Sequence, residues 1–113
     1  MNYTVKELDE FRYVEEGEGE IILLLHGLFG ALSNFGHLIE EFRKDYRVIV
    51  PVLPIYEAPI RQISVDYLRE YVVSFMDAKG ITEQVHALGN SLGGHVGLFL
   101  ALKHQERLKS LTL

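Results

Sequence analysis

A single serine, Ser91, stands in a pattern that suits it for nucleophilic chemistry. It follows an apolar run at residues 85–88 and has glycine two positions before it, Gly89, and two positions after it, Gly93. A sharp turn from a strand into a helix forces the corner residue into a positive-φ conformation that costs roughly 1 to 3 kcal/mol, and neighbouring side chains would collide there. Glycine at both places removes those collisions. The pattern predicts a serine hydroxyl raised above the end of a strand, where it can attack a carbonyl carbon.

Attack by a serine on a carbonyl creates a negative oxygen that must be stabilised by hydrogen-bond donors. The N–H of Leu92, at the start of the following helix, is expected to be one donor. The second is expected from the segment HGLFG at residues 26–30, where glycines allow N–H groups to turn inward. Leu28 is the first choice for that donor and Phe29 the second. Losing one such donor typically costs roughly 3 to 4 kcal/mol in the transition state.

The elements that must position these groups follow from alternating apolar runs and helical patterns. One or two edge strands are expected before Gly17, and Ser33 or Asn34 is expected to cap the first helix. The prolines Pro51, Pro54 and Pro59 predict an irregular loop outside any strand ladder. The remaining elements are predicted as strands at residues 21–25, 47–50, 85–88 and 108–113, and as helices near residues 38–42, 65–80 and 92–104. This alternation predicts an α/β fold, a parallel sheet with helices on both faces.

Composition narrows the classes of function. The sequence of 113 residues has 16 acidic and 11 basic residues, a net charge of -5 and no basic cluster, which argues against nucleic acid and anionic membrane surfaces as partners. It has no cysteine, so thiolate metal sites and thiol chemistry are excluded. The start of the chain lacks an apolar segment of signal-peptide length, and we expect one cytoplasmic domain with no cofactor and no metal.

The two glycine-containing segments, HGLFG at residues 26–30 and GNSLGG at residues 89–94, resemble the α/β-hydrolase fold family in its esterase-like branch. The resemblance implies that Ser91 is the nucleophile and that the N–H groups of Leu92 and of Leu28 or Phe29 form the oxyanion hole. In this family the acid and the histidine follow the nucleophile in the chain. Because only residues 92–113 follow Ser91, residues 1–113 are expected to form the N-terminal part of a single such domain, lacking its later strands. The loop after Val50 departs from the family, which often has glycines and an acidic residue there.

The histidines and acids already present are not expected to complete a triad. At about 3.3 Å per strand residue, His86 lies roughly 17 Å from Ser91, which is out of reach. A packed or solvated position is expected for His95, and a hydrogen bond that braces the HGLFG loop is expected for His26. Surface or solvated positions are expected for His37, His104, Asp45, Asp66 and Asp77, whereas Glu57 is a minor candidate to face a substrate. For Ser91 itself, the competing interpretation is a serine that merely caps a helix.

Two hypotheses from different classes remain. The first is a serine hydrolase of small ester-like substrates, on a scaffold that also supports acyl transfer and carbon–carbon bond cleavage. The second is a non-catalytic fragment or interaction subunit whose last strand leaves an unpaired sheet edge, covered by self-association, by a partner or by further chain. Nucleotide binding is disfavoured because the glycine spacing is wrong and no lysine follows.

Overall fold

A computed structural model describes residues 3–27, 35–55 and 64–113 of the chain. Six strands form one sheet in the order β1-β2-β4-β3-β5-β6. The strands are β1 (Lys6–Leu8), β2 (Phe11–Glu16), β3 (Ile21–Leu25), β4 (Arg47–Pro51), β5 (Val85–Gly89) and β6 (Leu108–Thr112). The helices are α1 (Gly36–Phe42), α2 (Val65–Lys79) and α3 (Leu92–Lys103), with a short 3-10 turn at Gln105–Arg107 before β6.

The predicted α/β architecture is confirmed, and the sheet is mixed. Strands β4, β3, β5 and β6 are parallel neighbours, whereas β1 and β2 pair antiparallel at the edge beside β4. These two are the edge strands expected before Gly17. Helix α1 lies between β3 and β4 in the chain, α2 between β4 and β5, and α3 between β5 and β6, so helices connect the parallel strands, as a parallel sheet requires.

Strand β4 runs one residue further than predicted, because Pro51 belongs to the ladder and pairs with Tyr13. The N–H of Val52 donates to the carbonyl of Arg12 at 2.8 Å, so these two residues form a hydrogen-bonded pair. Such pairs alternate with pairs that make no hydrogen bond in an antiparallel ladder, and the neighbouring pair, Tyr13 with Pro51, is of the second kind. The N–H that proline lacks is therefore not needed there. The expectation that all three prolines lie outside the ladder was wrong for this reason.

Strand β3 is covered on both faces, as its unbroken apolar run predicts. Ile21, Leu23 and Leu25 pack into the core that contains the buried stripe of α2 and the inner side of α3. Ile22 and Leu24 point the other way and pack with Ile39 of α1. Since alternate residues of a strand face opposite sides, a strand with helices on both sides has no position for a polar residue.

Helix α2 confirms the periodicity read from the sequence. Ser64 caps it by accepting a hydrogen bond from the N–H of Tyr67 at 3.0 Å, and Gly80 ends it with a φ of 74°. The apolar residues Leu68, Val72, Phe75 and Met76, which recur at helical spacing, are all buried. Helix α1 begins after Phe35, and the predicted cap residues Ser33 and Asn34 lie outside the described residues.

One buried charge was not anticipated. Arg69 of α2 is only 8% exposed and contacts the carboxylates of Asp66 and Glu70. Its guanidinium also lies 2.7 Å from Nε2 of His104, where it donates to the ring nitrogen. His104 is therefore half-buried against α2 instead of lying free on the surface, and this contact joins the C-terminal end of α3 to α2.

Two leucines of α3 give a matched test of this packing. Leu100 is fully buried, whereas Leu102 is 71% exposed. Leu100→Ala should lower the free energy of unfolding by about 2 to 5 kcal/mol, because it removes buried methyl groups and leaves a cavity. Leu102→Ala, the same change on the same helix, should alter it by less than about 0.5 kcal/mol. Urea denaturation followed by circular dichroism measures both, and equal losses would contradict the assigned packing.

Candidate active site

Ser91 occupies the sharp turn between β5 and α3. Its backbone has φ 59° and ψ -122°, and in the described part of the chain Asp9 is the other non-glycine residue with a positive φ. The positive φ predicted from the flanking glycines is thus confirmed. A conformation this rarely adopted by a side-chain-bearing residue is retained only where the surrounding structure imposes it.

The two flanking glycines are required by close backbone contacts. A Cβ atom at Gly89 would overlap the carbonyl oxygen of Gly93, and a Cβ at Gly93 would overlap the carbonyl of Leu25 at the end of β3. The backbone of the first turn of α3 therefore lies in direct contact with the end of the neighbouring strand β3. The N–H of Asn90 adds to this contact by donating to the carbonyl oxygen of Leu25 at 3.1 Å.

Ser91 is an exposed residue, and its hydroxyl does not cap the helix. Helix α3 has no side-chain hydrogen bond at its N-cap, although Ser91 occupies that position. The carbonyl of Ser91, in contrast, accepts from the N–H of Gly94 at 2.9 Å. The interpretation of Ser91 as a helix-capping serine is therefore wrong, and its side chain is left available for chemistry.

The loop after β3 lies against the serine, as the prediction of a second donor from the HGLFG segment requires. A Cβ placed on Gly27 would be 2.9 Å from Cβ of Ser91 and 3.3 Å from its Oγ. Only a glycine lets the main chain approach the hydroxyl this closely. Leu28 and Phe29, the predicted second donors, follow at once but lie outside the described residues, so their role stays a prediction. Leu92 is the first residue of α3, where an N–H has no partner within the helix.

His26 braces this loop, as predicted. Its side chain is buried, Nε2 accepts a hydrogen bond from the N–H of Leu53 at 2.8 Å, and Nδ1 lies 2.9 Å from the carbonyl oxygen of Gly27. Because Nε2 accepts, Nδ1 must carry the proton of a neutral ring and donate it to Gly27. Burial lowers the pKa of His26, against a smaller raising effect from the bond to Gly27. The neutral imidazole thus ties the loops after β3 and β4 together.

The described part of the chain supplies no base for Ser91. No histidine or carboxylate within those residues forms a hydrogen bond with its hydroxyl, and His95 points outward from α3 as an exposed residue. His86 lies near the other end of β5, bonded to Ser110 and Glu20. Glu57 falls outside the described ranges. Nor do the described residues contain a group of three side chains able to hold a metal ion.

Comparison with known proteins agrees with this geometry. Residues 20–113 match the family model described as the alpha/beta hydrolase fold. The chain belongs to the α/β-hydrolase family. It is 32% identical over 116 residues to Lipase 1 of Psychrobacter immobilis, covering 97% of this chain and 36% of the lipase. It is 36% identical over 119 residues to 2-hydroxy-6-oxo-6-phenylhexa-2,4-dienoate hydrolase of Comamonas testosteroni, covering 96% of this chain and 41% of that enzyme.

A solved structure extends the likeness to three dimensions. The α/β hydrolase MGS-MChE2, from a metagenome of sediments of the Mar Chica lagoon in Morocco, superposes with a TM-score of 0.88 at 42% identity. The match covers 96% of this chain and 49% of that structure. This α/β-hydrolase chain thus spans less than half the length of these relatives. Within its described ranges, no helix combines the length and the apolar character needed to cross a membrane.

Gly93 and Gly94 form a matched pair for testing the contact at the turn. Gly93→Ala should lower the free energy of unfolding by about 2 kcal/mol or more, because its Cβ would overlap the backbone of β3. At Gly94 the nearest atom would be 3.5 Å away, an ordinary contact, and alanine is favoured over glycine within helices by about 1 kcal/mol. Gly94→Ala should therefore be neutral or stabilising. Chemical denaturation of the two variants checks this, and similar effects at both positions would contradict the assigned contact.

The buried state of His26 predicts a pH dependence of stability. Because burial lowers its pKa, the unfolded chain takes up a proton at higher pH than the folded chain does. The contribution of the neutral His26 ring to the free energy of unfolding is fully present above the ordinary histidine pKa of 6.5. It is lost as the pH falls through the lower pKa of the folded state. One proton gives a slope of at most about 1.4 kcal/mol per pH unit.

Urea denaturation between pH 7.5 and pH 5 measures this slope. His26→Gln should flatten the dependence, since glutamine does not titrate in this range. His95→Gln, at an exposed histidine, should leave it unchanged. An unchanged slope in His26→Gln would show that other groups are responsible.

Proposed function

We propose that a polypeptide containing this chain is a serine hydrolase of small carboxylic esters or related acyl compounds, with Ser91 as its nucleophile. The observation that carries the proposal is the backbone of Ser91, an exposed residue whose positive φ holds an uncapped hydroxyl at the end of β5 beside Gly27. A serine needed only for capping would bond the helix, and a serine needed only for packing would be buried.

In the proposed reaction, Oγ of Ser91 attacks the substrate carbonyl and a base accepts the hydroxyl proton. The N–H of Leu92 and an N–H of Leu28, or of Phe29, donate to the oxyanion of the tetrahedral intermediate. The leaving group departs with a proton, and water then releases the acyl group. We propose that the base and its acidic partner come from chain beyond residues 1–113, because Ser91 has no such partner among the described residues.

The substrate class rests on the relatives. Two of them are named as lipases and another as a hydrolase of a phenylhexadienoate. Ester hydrolysis is the proposal for this chain because a serine nucleophile and an oxyanion hole suffice for it.

The alternative of an interaction subunit is supported by the edge of the sheet. Strand β6 is last in the strand order, and at the adjoining chain end Leu113 is 70% exposed. An edge strand offers unpaired backbone groups to another chain. This alternative predicts concentration-dependent association in analytical ultracentrifugation together with no role for Ser91.

A chimera tests the role of Ser91. Residues 1–113 would replace the matched portion of MGS-MChE2, to which they are 42% identical with a TM-score of 0.88. The chimera should hydrolyse short-chain aryl esters, and Ser91→Ala within it should lower kcat by roughly 10⁴-fold or more. Ser74→Ala, at an exposed serine on α2, should leave kcat unchanged.

The chain of residues 1–113 by itself gives the complementary result. A fluorophosphonate should label Ser91 slowly or not at all, because the hydroxyl lacks a base there. Rapid labelling of Ser91 would reveal a base that the described residues do not show. A folded chimera whose activity survives Ser91→Ala would contradict the proposed function.

A further inference from the structure

The carbonyl group of Gly27 is held by the ring of His26. Nδ1 of His26 lies 2.9 Å from this carbonyl oxygen, and Nε2 accepts from the N–H of Leu53 at 2.8 Å. Burial lowers the pKa of His26, which keeps the ring neutral, so the proton on Nδ1 is donated to Gly27. Both residues are buried. The direction of the Gly27 carbonyl is therefore fixed by a side chain that has no freedom to move into solvent.

The order of the strands shows toward which side this carbonyl points. Strand β3, which ends just before His26, lies between β4 and β5. Leu53 follows β4, whereas Ser91 follows β5. Because the ring of His26 extends from Gly27 to Leu53, the carbonyl of Gly27 points toward the β4 side, away from Ser91. All three strands are paired on both sides, so this arrangement belongs to the interior of the sheet.

The peptide unit that contains this carbonyl also contains an N–H group. A trans peptide is planar, and its N–H points in the direction opposite to its carbonyl oxygen. Here that N–H belongs to Leu28, one of the two residues predicted to supply the second oxyanion donor. Gly27 itself approaches Ser91 so closely that a Cβ placed on it would lie 3.3 Å from Oγ. The direction of the Gly27 carbonyl thus decides whether this N–H can serve the reaction of Ser91.

We propose that His26 is a positioning residue for that reaction, because its hydrogen bond to the carbonyl of Gly27 turns the N–H of Leu28 toward the oxyanion. The inference rests on the proposed function and selects Leu28 over Phe29 as the second donor. Both ring nitrogens of His26 are occupied by backbone groups, so it acts through the peptide after Gly27 and not on the substrate.

The value of such a bond lies in orienting the donor before charge develops. An oxyanion-hole donor is effective because no reorganisation is needed at the moment of reaction. A donor whose direction is lost no longer stabilises the tetrahedral intermediate, although the substrate can still bind. Loss of the bond from His26 to Gly27 should therefore lower kcat with little effect on KM.

Two variants of His26 separate this role from a purely structural one. They are made in the chimera described above and tested with short-chain aryl esters. In His26→Asn the amide nitrogen is attached to Cγ, as Nδ1 is, and can still donate to Gly27, but the side chain is too short to reach Leu53. In His26→Leu both hydrogen bonds are lost. Since both variants leave the buried N–H of Leu53 without its acceptor, both should lower the free energy of unfolding.

Only His26→Leu should disable the oxyanion hole. Its kcat should fall by roughly tenfold or more with KM changed by less than about twofold, whereas His26→Asn should keep kcat within about threefold of the parent chimera. A residue needed only for stability would affect kcat equally in the two variants once circular dichroism shows that both are folded. Equal kcat values in the two folded variants would overturn the proposal.

Proline substitutions test the choice of donor without changing His26. Proline lacks an N–H, so Leu28→Pro removes the proposed donor and Phe29→Pro removes the alternative one next to it. Leu28→Pro should lower kcat by roughly 10²- to 10³-fold, as loss of one oxyanion donor does, and Phe29→Pro should lower it far less. The reverse order would refute the proposal. If Ser91→Ala abolishes activity while the His26 variants have equal kcat values, this inference fails and the proposed function stands.

Discussion

The contact between the first turn of α3 and the end of β3 is the constraint on which the site depends. Gly93 brings the helix backbone so close to the carbonyl of Leu25 that no side chain fits between them. The chain leaving β5 must then enter the helix within two residues, Asn90 and Ser91, and Ser91 takes the positive φ. The uncapped hydroxyl, its approach to Gly27 and the N–H of Leu92 at the helix start all follow from this short distance.

A strained residue persists only where other interactions offset its cost of roughly 1 to 3 kcal/mol. Here the offset comes from the elements on either side of the turn. Strand β3 is buried along its whole length, and α3 carries Val96 and Leu100 fully buried against it. Moving the helix away to relax Ser91 would expose that apolar surface, and burial of even one such side chain contributes about 1.5 to 3 kcal/mol. The packing therefore imposes the conformation.

Activation of a serine nucleophile has separable requirements, and the described residues around Ser91 meet only some of them. Ser91 has the strained turn and the helix N-terminus that can stabilise an oxyanion, but no base among the described residues. A base raises the nucleophilicity of a hydroxyl, whereas N–H donors stabilise the charge that develops afterwards. Efficient catalysis needs both at one serine.

Local patterns in the sequence determined the features that depend on neighbours along the chain. Four features could be predicted because each follows from periodicity or from glycines a few residues apart. They are the helices and strands, the end of α2 at Gly80, the burial of β3 on both faces and the positive φ of Ser91. Contacts across the sheet were decided only by the tertiary structure. Four such contacts join residues of different strands or of the loops that follow them. They are the close approach of Gly27 to Ser91, the hydrogen bond from Leu53 to His26, the pairing of Pro51 in the ladder and the alignment of His86 with Ser110. Their distances depend on strand order and register, which result from packing of the whole sheet and which no short stretch of sequence encodes.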